Sequence, residues 1–260
     1  MAIRARRGFD SIGDIAILEI PRELAKRELK IAQAFRKQHP YFRVVAKKLG
    51  QHRGPYRIQR IKVLTGERRT WTLHRESGLA LKVDMNTAYF SPRLSSERLR
   101  IASLVKPGER VLVLFSGVGP YMLVVAKRSK AEEVVGVELN PAAHRFALEN
   151  IALNGLQDRA RAIEADAKRW CLRTRERFDR IIMPLPMTAS AFLPAALRVA
   201  KKGATVHFYQ FAHEDAFQFA ANTALDVCER LKRSCSIIRI VKVGQQSPHV
   251  YRVSVDFRVR

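Results

Sequence analysis

Two segments hold residue types that could do chemistry together. In the first, Val111-Leu112-Val113-Leu114-Phe115-Ser116-Gly117-Val118-Gly119-Pro120, an apolar strand runs into a glycine turn. In the second, Val134-Val135-Gly136-Val137-Glu138-Leu139-Asn140-Pro141, another strand ends in an acid. The acid lies about twenty residues beyond the turn, the spacing of nucleoside-binding α/β sheets. There the glycines let the backbone approach the ligand and the acid accepts hydrogen bonds from ribose hydroxyls. Gly117-Val118-Gly119-Pro120 lacks the third glycine of the dinucleotide fingerprint, and Pro120 removes a backbone donor that a pyrophosphate would use. The expected ligand is therefore S-adenosyl-L-methionine, which carries no phosphate, rather than NAD.

The turn needs a sheet behind it, and the rest of the chain supplies one. Asp14–Ile20 reads as a strand, and Pro21 opens a helix to about Lys37. Short β-like runs follow at Phe42–Ala46, Arg57–Leu64, Thr70–His74 and Leu79–Val83. Arg53-Gly54-Pro55 and Thr65-Gly66-Glu67 act as turn signals between them. These form a small α+β domain, residues 1–90. From Ser95 the pattern alternates: helix 95–104, strand 110–115, helix 120–128, strand 134–138, helix 141–153, strand 161–164, strand 179–183, helix 188–200, strand 203–210 and helix 213–232. Strands 235–243 and 249–259 close it. The expected fold class is α/β, a Rossmann-like, mostly parallel sheet over residues 91–260. It ends in an antiparallel hairpin made by Ser236–Val243 and Val250–Val259 around Gly244–Pro248.

Composition sets the partners. The 260 residues include 48 Lys and Arg against 24 Asp and Glu, a net charge of +24, and 47% hydrophobic residues support a folded core. Such an excess of cations predicts a polyanion, above all nucleic acid, because neutralising phosphates releases counterions. Solubility in unusual salt or heat is the competing explanation. Basic clusters at Arg4–Arg7, Lys26–Arg27, Arg36–Lys37, Lys47–Lys48, Arg53 and Arg68–Arg69 concentrate the charge in the first ninety residues. Cys171, Cys228 and Cys235 are widely spaced and odd in number, which predicts buried free thiols, no disulfide framework and no metal site. The N-terminus has no apolar signal region, and no run reaches the length of a membrane span. The reading is a soluble, cytoplasmic monomer.

Several segments taken in order resemble the archaeal and eukaryotic tRNA (guanine-37 N1)-methyltransferases. They are Phe9-Asp10-Ser11-Ile12-Gly13-Asp14-Ile15-Ala16-Ile17, Tyr89-Phe90-Ser91-Pro92-Arg93-Leu94-Ser95-Ser96-Glu97-Arg98, the Gly-Val-Gly-Pro turn, Ile182-Met183-Pro184-Leu185-Pro186, and Ser247-Pro248-His249-Val250-Tyr251-Arg252-Val253-Ser254-Val255-Asp256-Phe257. The resemblance implies a methyl transfer from S-adenosyl-L-methionine to tRNA. It begins at what is the second domain of full archaeal members, so the extra N-terminal domain that touches the tRNA outer corner is expected to be missing. Family members commonly have Asn-Leu-Pro or Asn-Pro-Pro where this chain has Pro184-Leu185-Pro186, which takes away an amide that would hold the guanine. A sister family transfers the aminocarboxypropyl group of the same cofactor in wybutosine synthesis. Pro120 and the Pro184-Leu185-Pro186 segment favour methyl transfer over it.

The resemblance also assigns roles. Glu97 matches the family's general base, which takes the N1 proton. On residues alone it reads as a first-turn acid behind an N-cap at Ser95. Arg57 matches an arginine that faces the guanine oxygen, where negative charge develops. Arg60 and Arg93 are its rivals, and Arg60 falls on the opposite face if this stretch is a strand. Arg98, Phe115, Gly117, Gly119, Glu138 and Asp166 are expected around the cofactor, with Glu138 on the ribose and Asp166 accepting from the adenine amino group. Arg93, Pro184 and Pro186 are expected around the target base. Tyr89 and Phe90 are candidates for stacking on a base or for a strand end in the core.

Overall fold

The structure, a computed structural model, describes residues 8–50, 54 and 56–260. The basic cluster Arg4–Arg7, Arg53, and the first and last residues of the Arg53-Gly54-Pro55 turn lie outside the described residues. The chain divides into two compact units, Met1–Pro92 and Arg93–Arg260.

The first unit holds β1 (Phe9–Ile12), β2 (Ile15–Leu18), α1 (Glu28–Gln38), β3 (Val44–Lys48), β4 (Ile61–Gly66), β5 (Trp71–Glu76) and β6 (Leu79–Asp84). The first four strands form one sheet in the order β1-β2-β3-β4, with β2 and β3 parallel, and β5–β6 is a separate hairpin. The strand expected from Asp14 is β2, and β1, which the sequence reading lacks, pairs with it in a hairpin folded at Gly13, where φ is +52° and an added Cβ would lie 2.2 Å from Thr72 Oγ1. Asp14, just past that turn, is gripped by Arg69 and accepts from Thr72 Oγ1 at 2.7 Å. The helix expected from Pro21 opens as a 3-10 turn, Arg22–Arg27, that buries nothing; α1 proper begins at Glu28 and packs Ile31 and Phe35 against Leu18 and Val45.

The second unit runs α2 (Ser95–Leu104), β7 (Arg110–Leu114), α3 (Pro120–Arg128), β8 (Glu133–Glu138), α4 (Pro141–Leu153), β9 (Ala160–Glu164), α5 (Ala167–Arg173), β10 (Phe178–Met183), α6 (Leu193–Val199), β11 (Ala200–His213), α7 (Phe217–Arg230), β12 (Cys235–Ser247) and β13 (Val250–Val259). One seven-stranded sheet has the order β12-β13-β11-β10-β7-β8-β9. Strands β11, β10, β7, β8 and β9 are parallel; β13 is antiparallel to both β11 and β12. The Rossmann-like sheet with an antiparallel end is therefore present. Val111–Leu114 and Val134–Val135 are sealed from solvent, as strands covered on both faces must be. The hairpin is tighter than Gly244–Pro248 suggested: β12 continues to Ser247, Gly244 sits at a register shift inside it, and the turn is Pro248-His249.

The cysteines depart from expectation. Cys228, near the end of α7, and Cys235, at the start of β12, are disulfide-bonded with Cα atoms 6.2 Å apart; only Cys171 is a buried free thiol. The reversal between helix and strand folds two distant-looking positions back on each other, which spacing alone does not reveal. Closing so short a loop stabilises by about 2 kcal/mol in the chain-entropy account. The double change Cys228→Ser with Cys235→Ser is expected to lower Tm by about 5 °C in scanning calorimetry. An unchanged Tm would mean that the bridge does not restrict the unfolded chain.

Candidate active site

The glycine turn is built by strain and by one acid. β7 ends at Leu114, and Phe115 (φ +58°), Gly117 (φ +57°) and Gly119 (φ +89°) all take left-handed backbone before Pro120 opens α3 at its first turn. A phenylalanine in that region is strained by about 1 kcal/mol or more. Ser116 N–H, bonded to Val137 O at 3.0 Å, ties the turn to β8. The close approach of α3 to β8 also needs Gly136, where an added Cβ would lie 2.7 Å from Met122 Sδ.

Glu138 locks this corner. Its Oε2 accepts from Gly117 N–H at 2.7 Å and its Oε1 from Asn140 N–H at 2.8 Å, while Asn140 caps α4 through Ala142 N–H. Its carbonyl accepts from Ala165 N–H at 2.9 Å, reaching the loop after β9. Burial pushes the Glu138 carboxyl above its ordinary value against the pull of these backbone donors. Three loops at the carboxyl ends of β7, β8 and β9 thus meet on one residue. Asp166, next to them, is the N-cap of α5 through Arg169 N–H at 2.8 Å. That helix was not anticipated, although Asp166 followed by Trp170 and Cys171 is a cap before an apolar pair. Phe115 stacks edge-on against Phe192 with centroids 4.8 Å apart. Pro184 and Pro186 follow β10 at the same sheet edge, where Leu185 N–H bonds Met183 O at 2.9 Å. Pro186, Met187, Ser190, Phe208, Gln210 and Phe211 line a pocket of about 250 Å³ there.

Glu97 is a buried carboxylate on α2. Leu94, not Ser95, holds the cap position and makes no side-chain cap bond; Glu97 is a first-turn acid as expected, and its partners are side chains. Arg100 donates from Nε to Oε2 and from NH2 to Oε1, each at 2.7 Å, and Tyr209 donates its hydroxyl to Oε1. Beyond it the charges continue. Arg100 NH1 reaches Asp256 Oδ2 at 2.7 Å, His207 Nδ1 lies 2.7 Å from Asp256 Oδ1, and Arg180 NH1 lies 2.7 Å from His207 Nε2. Arg180 ends on Glu109 and on Leu104 O. A guanidinium only donates, so His207 Nε2 accepts and Nδ1–H donates to Asp256. Burial pushes the imidazole down to its neutral form. Burial opposes ionisation of Asp256, but His207 and Arg100 outweigh it and hold that carboxyl well below the usual carboxylate range. Arg98, fully buried on the same helix, has its guanidinium 5.8 Å from the Tyr121 ring centroid.

The sequence reading missed Arg100, Tyr209, Asp256, His207 and Arg180. The signal was present: Val206-His207-Phe208 and Val255-Asp256-Phe257 put a polar residue inside apolar strands. Arg57 belongs to the first unit and is not on a strand. It sits in a turn at φ +52° with its N–H on Gly54 O at 3.1 Å, and β4 starts only at Ile61. Arg57 and Arg60 therefore do not lie on opposite faces of one strand. Arg93 is exposed, Tyr89 is partly exposed, and Phe90 is buried against His74. Among the described residues no His, Cys, Asp and Glu group has a metal-binding arrangement, and no helix is long and apolar enough to cross a membrane.

Glu138→Ala is expected to weaken S-adenosylmethionine binding in calorimetry by about 1–3 kcal/mol and to lower Tm as well, because Gly117 and Asn140 lose their acceptor. Unchanged affinity in a folded variant would remove Glu138 from the site.

Residues 72–238 match the TRM5/TYW2 methyltransferase domain, and residues 3–70 match the TYW2 N-terminal domain. The chain is 34% identical over 258 residues to the tRNA (guanine(37)-N(1))-methyltransferase Trm5b of Pyrococcus abyssi, covering 96% of this chain and 74% of that protein. The crystal structure of that Trm5b superposes with a TM-score of 0.87 over 97% of this chain and 74% of that one. The tRNA 4-demethylwyosine(37)-methyltransferase Taw21 of Saccharolobus solfataricus is 33% identical over 258 residues, 96% of this chain and 93% of that protein. Trm5 of Methanocaldococcus jannaschii in complex with adenosine matches with a TM-score of 0.83 and 30% identity, over 97% of this chain and 74% of that one. With the glycine turn, the acid and the seven-stranded sheet in place, this chain belongs to the TRM5/TYW2 methyltransferase family.

Proposed function

We propose that the chain methylates N1 of guanine-37 in tRNA, using S-adenosylmethionine. Residues 91–260 act as the cofactor-binding catalytic domain and residues 1–90 as a small basic RNA-binding domain, in a monomer working in the cytoplasm. One observation carries the reading. In a chain 34% identical to a tRNA (guanine-37 N1)-methyltransferase, the motif acid Glu97 is a buried carboxylate oriented by Arg100 and Tyr209.

The turn fits the cofactor. Ser116 Oγ is buried there without a hydrogen-bond partner among the described residues. Glu138 would accept from the ribose hydroxyls, Asp166 from the adenine amino group, and Phe115, Gly117, Gly119 and Arg98 would enclose the rest. When bound, S-adenosylmethionine supplies an electrophilic methyl group on a sulfonium. Glu97 takes the proton from guanine N1 and so frees its lone pair for that methyl group. Arg57 donates to the guanine oxygen as charge builds there. Pro184 and Pro186 give a rigid wall for the flipped base, with Arg93 beside the RNA.

A second reading is methylation of 4-demethylwyosine at the same position. It is favoured by the match over 93% of the Saccharolobus protein and by Pro184 standing where the guanine-holding amide is expected. Aminocarboxypropyl transfer and a catalytically silent RNA-binding protein are the remaining outcomes. The test is incubation with cofactor labelled separately in its methyl and carboxyl carbons, using tRNA that carries guanine or 4-demethylwyosine at position 37. Methyl label in the guanine tRNA supports the proposal. Methyl label in the other tRNA alone moves it to the second reading. Carboxyl label in RNA, or no label, overturns both.

A further inference from the structure

We infer that Asp256 is a positioning residue that sets the basicity of Glu97 by sharing the charge of Arg100. The inference rests on Glu97 being the base. A carboxylate that takes the whole charge of a bidentate guanidinium is a poor proton acceptor, because protonation means giving up the ion pair. Here the fork is divided. Nε and NH2 of Arg100 face Glu97, while NH1 lies 2.7 Å from Asp256 Oδ2. Asp256 is kept ionised for this task by Ser254 Oγ at 2.8 Å and by His207 Nδ1–H at 2.7 Å on the other oxygen. In the β11–β13 register His207 stands directly opposite Asp256, so the sheet itself fixes that contact.

The other groups around the pair leave the arrangement intact. On α2, Arg98 lies by the Tyr121 ring. From α3 and β11, Tyr121 and Tyr209 lie near Glu97, and burial raises both phenols, so both stay neutral at working pH, Tyr209 as a donor to the carboxylate. From β13, Arg252 acts on Tyr121. From β12, Arg239 approaches Asp256 only to 3.8 Å and is half-exposed. From β10, Arg180 is neutralised by Glu109 behind a neutral His207. Asp256 is thus the carboxylate that competes with Glu97 for Arg100.

Asp256→Asn removes one negative charge near Glu97 and leaves Arg100 to it alone, so the carboxylate becomes a weaker base. Tyr209→Phe removes a donor to the carboxylate and makes it a stronger one. The experiment is the pH dependence of single-turnover methyl transfer for the parent, Glu97→Gln, Asp256→Asn and Tyr209→Phe. The acidic limb is expected to vanish in Glu97→Gln and to move about one pH unit lower in Asp256→Asn, with the plateau falling about three- to tenfold. In Tyr209→Phe it should move upward by a few tenths. Should Asp256→Asn fail to fold around an unpaired Arg100, the double change Arg100→Gln with Asp256→Asn removes both charges, and its limb is expected above the parent's. A limb lost in Glu97→Gln but unmoved in Asp256→Asn, or in the double change, overturns the inference and leaves Asp256 structural. A limb that persists in Glu97→Gln instead overturns the reading of Glu97 as the base.

Discussion

Glu97→Gln is expected to lower the methyl-transfer rate by about 10²–10⁴, the range for loss of a general base, with tRNA and cofactor affinity retained. The substitution keeps the shape of the side chain and an acceptor for the Tyr209 hydroxyl, so the buried site keeps its packing. It removes the carboxylate that Arg100 holds, but that guanidinium still has Asp256. Raising the pH should partly restore the variant, because guanine N1 then loses its proton to solvent. Arg57→Ala should also slow the reaction, but without such rescue, since the charge on the guanine oxygen stays uncompensated. The two pH profiles separate proton removal from charge stabilisation. Parental turnover of Glu97→Gln across the pH range would reduce Glu97 to a structural anchor for Arg100 and turn attention to another acid, such as Asp166.

The sequence spoke clearly where one local pattern decides the structure. Val111–Leu114 and Val134–Val137 are short, valine-rich apolar runs close to turn residues, which favours inner strands, and the structure buries them as such. Gly117, Gly119 and Glu138 were legible for the same reason: the turn and the acid follow their strands directly, and Glu138 does bond Gly117 N–H. What could not be read was contact that depends on register. Glu97 and Asp256 are far apart in sequence, and Arg100 joins them only because β13 enters the sheet beside β11. His207 and Asp256 meet for the same reason. The disulfide between Cys228 and Cys235 likewise depends on how α7 turns into β12. Arg57 was misplaced by its neighbours. Ile58 and Ile61 suggested a strand, but left-handed turns at Gly54 and Arg57 delay β4 to Ile61.

Affinity for tRNA is expected to fall by about 10³ between about 50 and 200 mM salt, because some five or more phosphate contacts give a logarithmic slope near −0.9 per contact. The structure narrows which cations can contribute. Lys47 is paired with Glu28, Lys48 with Asp10 and Glu19, and Arg69 with Asp14 and Glu67, so these three are already neutralised within the first unit. Lys26, Arg27, Arg36, Lys37 and Arg68 are exposed, and none of them has an ion pair with another of the described residues. They can therefore meet phosphates without first breaking a salt bridge. Changing Lys26, Arg27, Arg36 and Lys37 to glutamine should make the slope shallower by about 3–4, measured by fluorescence anisotropy with labelled tRNA over a salt series. The matching change of Lys47 and Lys48 should alter the slope little and instead weaken the fold around α1. A parental slope near zero would leave the +24 charge as a means of staying soluble. A steep slope untouched by the four substitutions would move the phosphate contacts off the 3-10 turn and α1, to cations elsewhere on the chain.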